Sequence, residues 1–214
     1  MSACIPLPYA AAAHGRRQIS ASGRVVTVLG DCYFQTMDEG EFWKLIAESR
    51  QESGNKTELA SRLLFHRLRA LSATEIVDFV RLWEQVRSGL FTWPVTDAVC
   101  LMLGVVEEEE LRHIQDWIIS YGRTAVERIA GDPDSLVELA ADVSAARAQW
   151  FWEFTTEAHI LVNGSWPLDY DPDGPDNLIG EHVNLADQAV VRQRFPRLAA
   201  FRCQHPELGV PKLC

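Results

Sequence analysis

A mainly α-helical fold, a single domain of six to eight helices behind a short N-terminal extension, is what three features of this 214-residue chain predict. From Met37 onward apolar residues recur at i, i+3 and i+4, the spacing that puts them on one helical face. Helix-start signals stand before these runs, as in Ser72-Ala73-Thr74-Glu75 and Asp132-Pro133. Glycines follow them, at Gly54, Gly104 and Gly122, where a helix end favours a residue free to adopt positive φ.

Residues 1–36 read differently: Ala-rich and Arg-containing text leads to Arg24-Val25-Val26-Thr27-Val28-Leu29, a short strand ended by Gly30. The first helix opens on Asp38, Glu39 and Glu41, acids favoured at the positive end of the helix dipole, and buries Phe42, Leu45 and Ile46. The second runs from about Thr57 to Ala70, burying Leu59, Leu63 and either His66 or Leu64 and Leu68. Behind the Ser72–Glu75 capping box, Ile76, Phe79, Val80 and Trp83 form an amphipathic stripe. Pro94 suits the first turn of a fourth helix, Val95 to Leu103, whose nearly apolar text places it centrally.

The fifth helix begins at Glu107–Glu110, read as a solvated first turn in preference to a metal site, and carries Leu111, Ile114, Trp117, Ile118 and Tyr121. Gly122 caps it. A helix with Leu136, Leu139 and Val143 follows Asp132-Pro133, and another runs from about Gln149 to Asn163. Residues 165–180 form a loop rich in Pro and Asp; a short helix over 185–195 and a Pro-punctuated tail complete the chain. The domain division is therefore 1–36, 37–200 and 201–214.

Hydrophobic residues make up 47% of the chain, with seven Trp, nine Phe and four Tyr, which excludes disorder over most of it. The net charge of −10 is unevenly distributed. Residues 148–191 hold eight acids and no Lys or Arg, whereas 192–214 hold five bases and one acid. This balance argues against a nucleic-acid partner, which needs a positive field over the phosphates. No run is long and apolar enough for a membrane span. Cys4, Cys32, Cys100, Cys203 and Cys214 make an odd, scattered set without CxxC spacing, so reduced thiols in a cytoplasmic protein are expected.

Several segments resemble a known family. Met37-Asp38-Glu39-Gly40-Glu41-Phe42-Trp43-Lys44-Leu45-Ile46, Leu68-Arg69-Ala70-Leu71-Ser72 with Glu75-Ile76, and Trp117-Ile118-Ile119-Ser120-Tyr121-Gly122-Arg123 follow the order and spacing of the bacterial domain of unknown function 4240 family. Asp132-Pro133-Asp134-Ser135-Leu136 and Arg194-Phe195-Pro196-Arg197-Leu198 resemble its later landmarks, so the resemblance spans roughly residues 37–200. It implies a domain and supplies neither an activity nor catalytic residues. Val105-Val106 and four Glu stand where the family tends to Gly, Cys and Asp, so no shared site is carried over into that loop.

Three constellations bear on chemistry. Asp169-Tyr170-Asp171-Pro172-Asp173-Gly174 matches the first half of a calcium loop, and Asp176 adds a fourth carboxylate. The second half fails, with Gly180 at position 12, so no cofactor is expected, calcium is the alternative, and a solvated acidic loop is preferred. His159 with Glu157, and His182 with Glu181, offer acid–base pairs without metal-ligand spacing; beside Ile160-Leu161-Val162 a hydrogen-bonded core role suits His159 better. Trp150-Phe151-Trp152-Glu153-Phe154 points aromatics to several helix faces at once, so Trp150 and Trp152, with Tyr170, are candidate binding residues. The function expected from these patterns is non-catalytic binding or regulation, through an acidic-aromatic surface that engages a cationic protein or ligand. The alternative is a small-molecule enzyme whose pocket joins Trp150, Trp152, His159 and His182.

Overall fold

The computed structural model describes residues 16–19, 25–29, 32–104, 106–147, 150–165 and 177–205, as backbone alone in the three strands and at 150 and 152–154. Strands β1 (Arg16–Ile19), β2 (Val25–Leu29) and β3 (Cys32–Gln35) make an antiparallel sheet in the order β1-β2-β3, with Arg16 opposite Val28 and Val26 opposite Gln35. The expected strand is present, as the middle of three.

Everything described beyond it is helical or connecting. Helix α1 (Glu39–Glu52) starts at a capping box: Asp38 Oδ1 accepts from the Glu41 amide at 2.8 Å and the Glu41 side chain accepts from the Asp38 amide. Helix α2 (Thr57–Leu68) buries Ala60, Leu64 and Leu68 but leaves Leu59 and His66 exposed and Leu63 half-buried, which corrects the expected burial of Leu59 and Leu63: the inward face is the one that carries Leu64 and Leu68. Helix α3 (Ala73–Leu90) opens at the Ser72–Glu75 capping box and buries the whole stripe Ile76, Phe79, Val80 and Trp83. Thr92 caps α4 (Trp93–Leu103), whose buried face includes Val95, Ala98, Val99, Leu101 and Met102. Helix α5 (Glu108–Ile119) buries Leu111, Ile114, Trp117 and Ile118, while Glu107, Glu108 and Glu109 are exposed at its start, as a dipole-favoured first turn requires.

Two helices were not legible as such. Gly122, at φ +88°, ends the turn after α5 and directly begins α6 (Arg123–Gly131), held by Val126 and Ile129. The positive φ makes this sharp junction natural for glycine. The segment Pro133–Ala145 is a 3-10 run broken at Asp142, whose φ of −118° and ψ of 20° are non-helical. After α7 (Trp150–Asn163) and α8 (Gln188–Arg194), helix α9 (Pro196–Gln204) crosses the position where the sequence suggests a tail. Asp134 of the 3-10 run caps the first turn of α9 by accepting the Arg197 and Leu198 amides at 3.0 and 2.9 Å. The mainly α prediction holds; among the described residues there are nine α-helices and one 3-10 segment, more than six to eight.

The core has an aromatic centre in which Phe42 of α1, Phe79 and Trp83 of α3 and Phe151 of α7 touch in sequence. Their ring centroids lie 5.0 Å (Phe42–Phe79), 5.8 Å (Phe79–Trp83) and 5.9 Å (Trp83–Phe151) apart. Rings at these separations gain from quadrupolar contact beyond their burial. Helix α7 packs against α2, α3 and α5, whereas α4 packs against the 3-10 run and α9. No described helix is long and apolar enough to cross a membrane. Cys100 is free, but Cys203 in α9 forms a disulfide, which corrects the expectation of uniformly reduced thiols. Pairing is decided by proximity in space, and scattered sequence positions do not preclude it.

Candidate functional site

Among the described residues, the start of α4 and the strap 177–183 bring one expected site residue, His182, to a buried carboxylate. Trp93 donates its backbone N–H to the Ile179 carbonyl at 2.9 Å, and Thr92 and Ile179 form a parallel bridge. This draws the strap across the first turn of α4. Gly180 permits the close crossing: its φ is +98°, and a Cβ there would sit 3.1 Å from Pro94 Cδ. One turn along α4, Asp97 is 1% exposed. Its Oδ2 accepts from the Val183 amide at 2.8 Å and its Oδ1 accepts from His182 Nδ1 at 2.7 Å.

The two ends of this hydrogen bond sit in different media. Asp97 is buried, and loss of solvation pushes its carboxyl above the ordinary range, against the pull of the Val183 amide, His182 and Arg194. The His182 side chain is 52% exposed, its ring 4.5 Å from that of half-buried Trp93. With Nδ1 donating to Asp97, Nε2 is the free acceptor position of a neutral imidazole. Cys100, three residues beyond Asp97, has its thiol pushed up by burial first and by the Asp97 charge last.

His159 is placed otherwise. It is buried in α7, and its Nδ1 meets the Ser165 carbonyl at 3.0 Å, while its own carbonyl accepts from Asn163 Nδ2. That is the hydrogen-bonded core histidine. The two histidines thus have separate partners, one within the end of α7 and one across α4. Glu157 and Glu181 are both exposed. Asp169, Tyr170, Asp171, Asp173 and Asp176 lie outside the described residues, and so do the side chains of Trp150 and Trp152. Among the described residues no group of three or more His, Cys, Asp or Glu is placed to hold a metal ion.

A second polar cluster is structural. Arg50 of α1 donates to Thr57 Oγ1 at 2.7 Å and pairs with Asp142 at 3.4 Å, while Asp142 also accepts from Thr57 and from the Tyr121 hydroxyl. The guanidinium lies 3.7 Å from the centre of the Tyr121 ring. Burial, then the bond to Asp142, pushes the Tyr121 phenol up to about 12. Tyr121 also borders a cavity of about 210 Å³ with Ser135, Arg128 and Glu138, the last two ion-paired across its rim. That is below the roughly 300–1,000 Å³ of most small-molecule sites.

Sequence reasoning singled out His182 and missed Asp97 and Trp93. The available signal was Asp97 itself, the single charge within an otherwise apolar α4. A buried charge requires a partner, but nothing in the sequence names one 85 residues away.

A family model described as "Protein of unknown function (DUF4240)" matches residues 37–159. The chain belongs to the DUF4240 family. The DUF4240 match begins at Met37, where α1 is capped, and ends within α7, so the strap, α8 and α9 lie beyond it. Asp97 and Trp93 are therefore inside the DUF4240 match and His182 is outside it. No curated protein and no solved structure matches the chain.

Proposed function

We propose that this DUF4240 protein is a non-catalytic binding or regulatory protein that engages a cationic partner through the acidic and apolar surface of residues 148–191. The observation that carries the reading is the pair of exposed apolar side chains at the ends of the acidic stretch. Leu161 is 56% and Ile179 69% exposed, the two highest values among the exposed large hydrophobics described. Each has an exposed glutamate nearby in sequence, Glu157 and Glu181, and the residues between hold four Asp and no base. Exposed apolar groups rimmed by one sign of charge suit a protein contact, the apolar part supplying anchors and the charge supplying orientation and on-rate.

Both ends of the stretch are fixed, α7 by Phe151, Ala158 and His159 in the core and the strap by Asp97. Anchored ends reduce the ordering cost of binding. In this reading Trp150, Trp152 and Tyr170 add aromatic contacts, and Asp169, Asp171, Asp173 and Asp176 are steering charges. Millimolar calcium then leaves Tm unchanged, and a rise of several degrees reassigns the loop to cation binding.

The test uses a photo-crosslinking amino acid placed in turn at positions 161, 179, 59 and 77, followed by mass spectrometry of the products from the native cell. The expected result is one basic partner captured from 161 and 179 and not from 59 or 77, less efficiently as salt rises. Capture from 59 or 77 alone, or of acidic partners, refutes the proposal.

A further inference from the structure

We infer that His182 is a ligand-binding site: Asp97 locks its imidazole with Nδ1 protonated, so that Nε2 accepts a hydrogen bond from the hydroxyl of a neutral ligand lying against Trp93 and Ile179. The carboxylate is fixed before any ligand arrives, because Asp97 is 1% exposed and its second oxygen is held by the Val183 amide at 2.8 Å. The remaining oxygen meets Nδ1 at 2.7 Å, which selects the tautomer. The imidazole itself is half in solvent and within reach of a ligand. A buried carboxylate behind an accessible imidazole fixes the ring's orientation and tautomer and strengthens its free nitrogen as an acceptor.

No covalent bond changes on binding: the ligand O–H keeps its proton and donates to the lone pair of Nε2. The Nδ1 proton stays in place, held by Asp97 at 2.7 Å. The surroundings define the ligand class. Trp93, 4.5 Å from the imidazole between ring centroids, and Ile179, 69% exposed, offer an apolar platform. Glu181 precedes His182 and disfavours an anion. A neutral alcohol or phenol with an apolar body fits these conditions. Asp97 acts here as a positioning residue, and the inference does not depend on the partner-binding proposal.

Three measurements on the full chain test it. Nitrogen-15 NMR of the neutral imidazole is expected to show His182 protonated at Nδ1 and bare at Nε2; the opposite tautomer overturns the inference. Ethoxyformylation by diethyl pyrocarbonate, followed by mass spectrometry, is expected to modify His182 faster than exposed His66. Asp97→Asn should slow His182 by roughly tenfold or more, far less than the ~10⁴ lost when a catalytic triad is given the wrong tautomer, with His66 unchanged as an internal control. Equal rates in the two proteins overturn the inference. Because Asp97→Asn also loosens the strap, the tautomer measurement on the unaltered protein stands as the independent arm. Finally, phenol is expected to shift the His182 Nε2 and Trp93 indole resonances and toluene to leave Nε2 unmoved; identical responses refute the hydroxyl requirement.

Discussion

Two aspartates, each 1% exposed, sit on adjacent helices of this molecule and are used in opposite ways. Asp116 on α5 accepts from Trp83 Nε1 at 2.7 Å and from Arg87 Nε at 2.9 Å, both through Oδ1. Its donors belong to α3, they are themselves buried, and Oδ2 has no hydrogen-bond partner among the described residues. Asp97 on α4 uses both oxygens, and one of its donors is a ring that faces solvent. A carboxylate enclosed with a cation holds two helices together. A carboxylate buried behind an exposed imidazole transmits its charge to the surface. Burial therefore does not distinguish these two charges; the exposure of the partner does.

The contrast breaks first at Asp116. Asp116→Ala removes the acceptor that the buried Arg87 Nε reaches at 2.9 Å, while Glu84 still meets Arg87 Nη1 from the same helix at 2.9 Å. Removing one member of a buried pair costs about 3–5 kcal/mol. Urea denaturation should show that loss in the midpoint with an unchanged slope. The double variant Asp116→Ala with Arg87→Met should recover part of it, because the buried guanidinium is gone as well. A loss below ~1 kcal/mol in the single variant would mean that water reaches Arg87, and that Asp116 resembles Asp97 after all.

The strap gives the next effect. Gly180→Ala forces a side chain into φ +98° and places its Cβ 3.1 Å from Pro94 Cδ. Strain of about 1–3 kcal/mol is expected, concentrated where the strap crosses α4. Hydrogen exchange should report it locally, as lost protection at the Trp93 and Val183 amides that bond across the crossing, with the α3 and α5 amides unaffected. Gly89→Ala is the control: it lies in α3 with nothing within 4 Å of an added Cβ, and should stabilise by about 0.5–1 kcal/mol. Uniform loss of protection after Gly180→Ala would show that strap and core open as one unit.

What the sequence discloses divides along the same line. Capping boxes at Asp38 and Ser72, the stripe Ile76–Trp83 and the buried face of α5 are local patterns, set by residues within four positions of each other, and they are legible. Helix α6 is hidden because only two of its residues, Val126 and Ile129, are buried. Helix α9 is hidden because its cap, Asp134, is supplied from another element. The spacing of Leu136 and Leu139 serves a 3-10 turn as well as an α-helical one, so the form of Pro133–Ala145 was not readable. At the site, His182 is legible as a titratable residue near Glu181, but its partner is Asp97, joined through a crossing that depends on one glycine. The family resemblance located the domain and was silent on the chemistry.

The smallest expected effect sharpens the comparison most, because it isolates the Asp97 charge from the contacts around it. Burial holds the Asp97 carboxyl above its ordinary 3.8 in the folded protein, while the unfolded chain titrates near that value. Between the two values the native state binds more protons than the unfolded state. Stability therefore falls as pH rises from about 3.8 through the folded value, and the slope disappears below and above this window. For a single proton the slope cannot exceed about 1.4 kcal/mol per pH unit. Asp97→Asn removes the titrating group and keeps a carbonyl that accepts one of the two hydrogen bonds. The variant lacks this slope, so a lead of the parent over it narrows as pH rises from about 3.8 through the folded value. Urea midpoints from pH 3 to pH 7 for both proteins are the measurement. Parallel pH profiles would mean that water or His182 compensates the charge in full, and Asp97 would then be no more perturbed than a surface carboxylate.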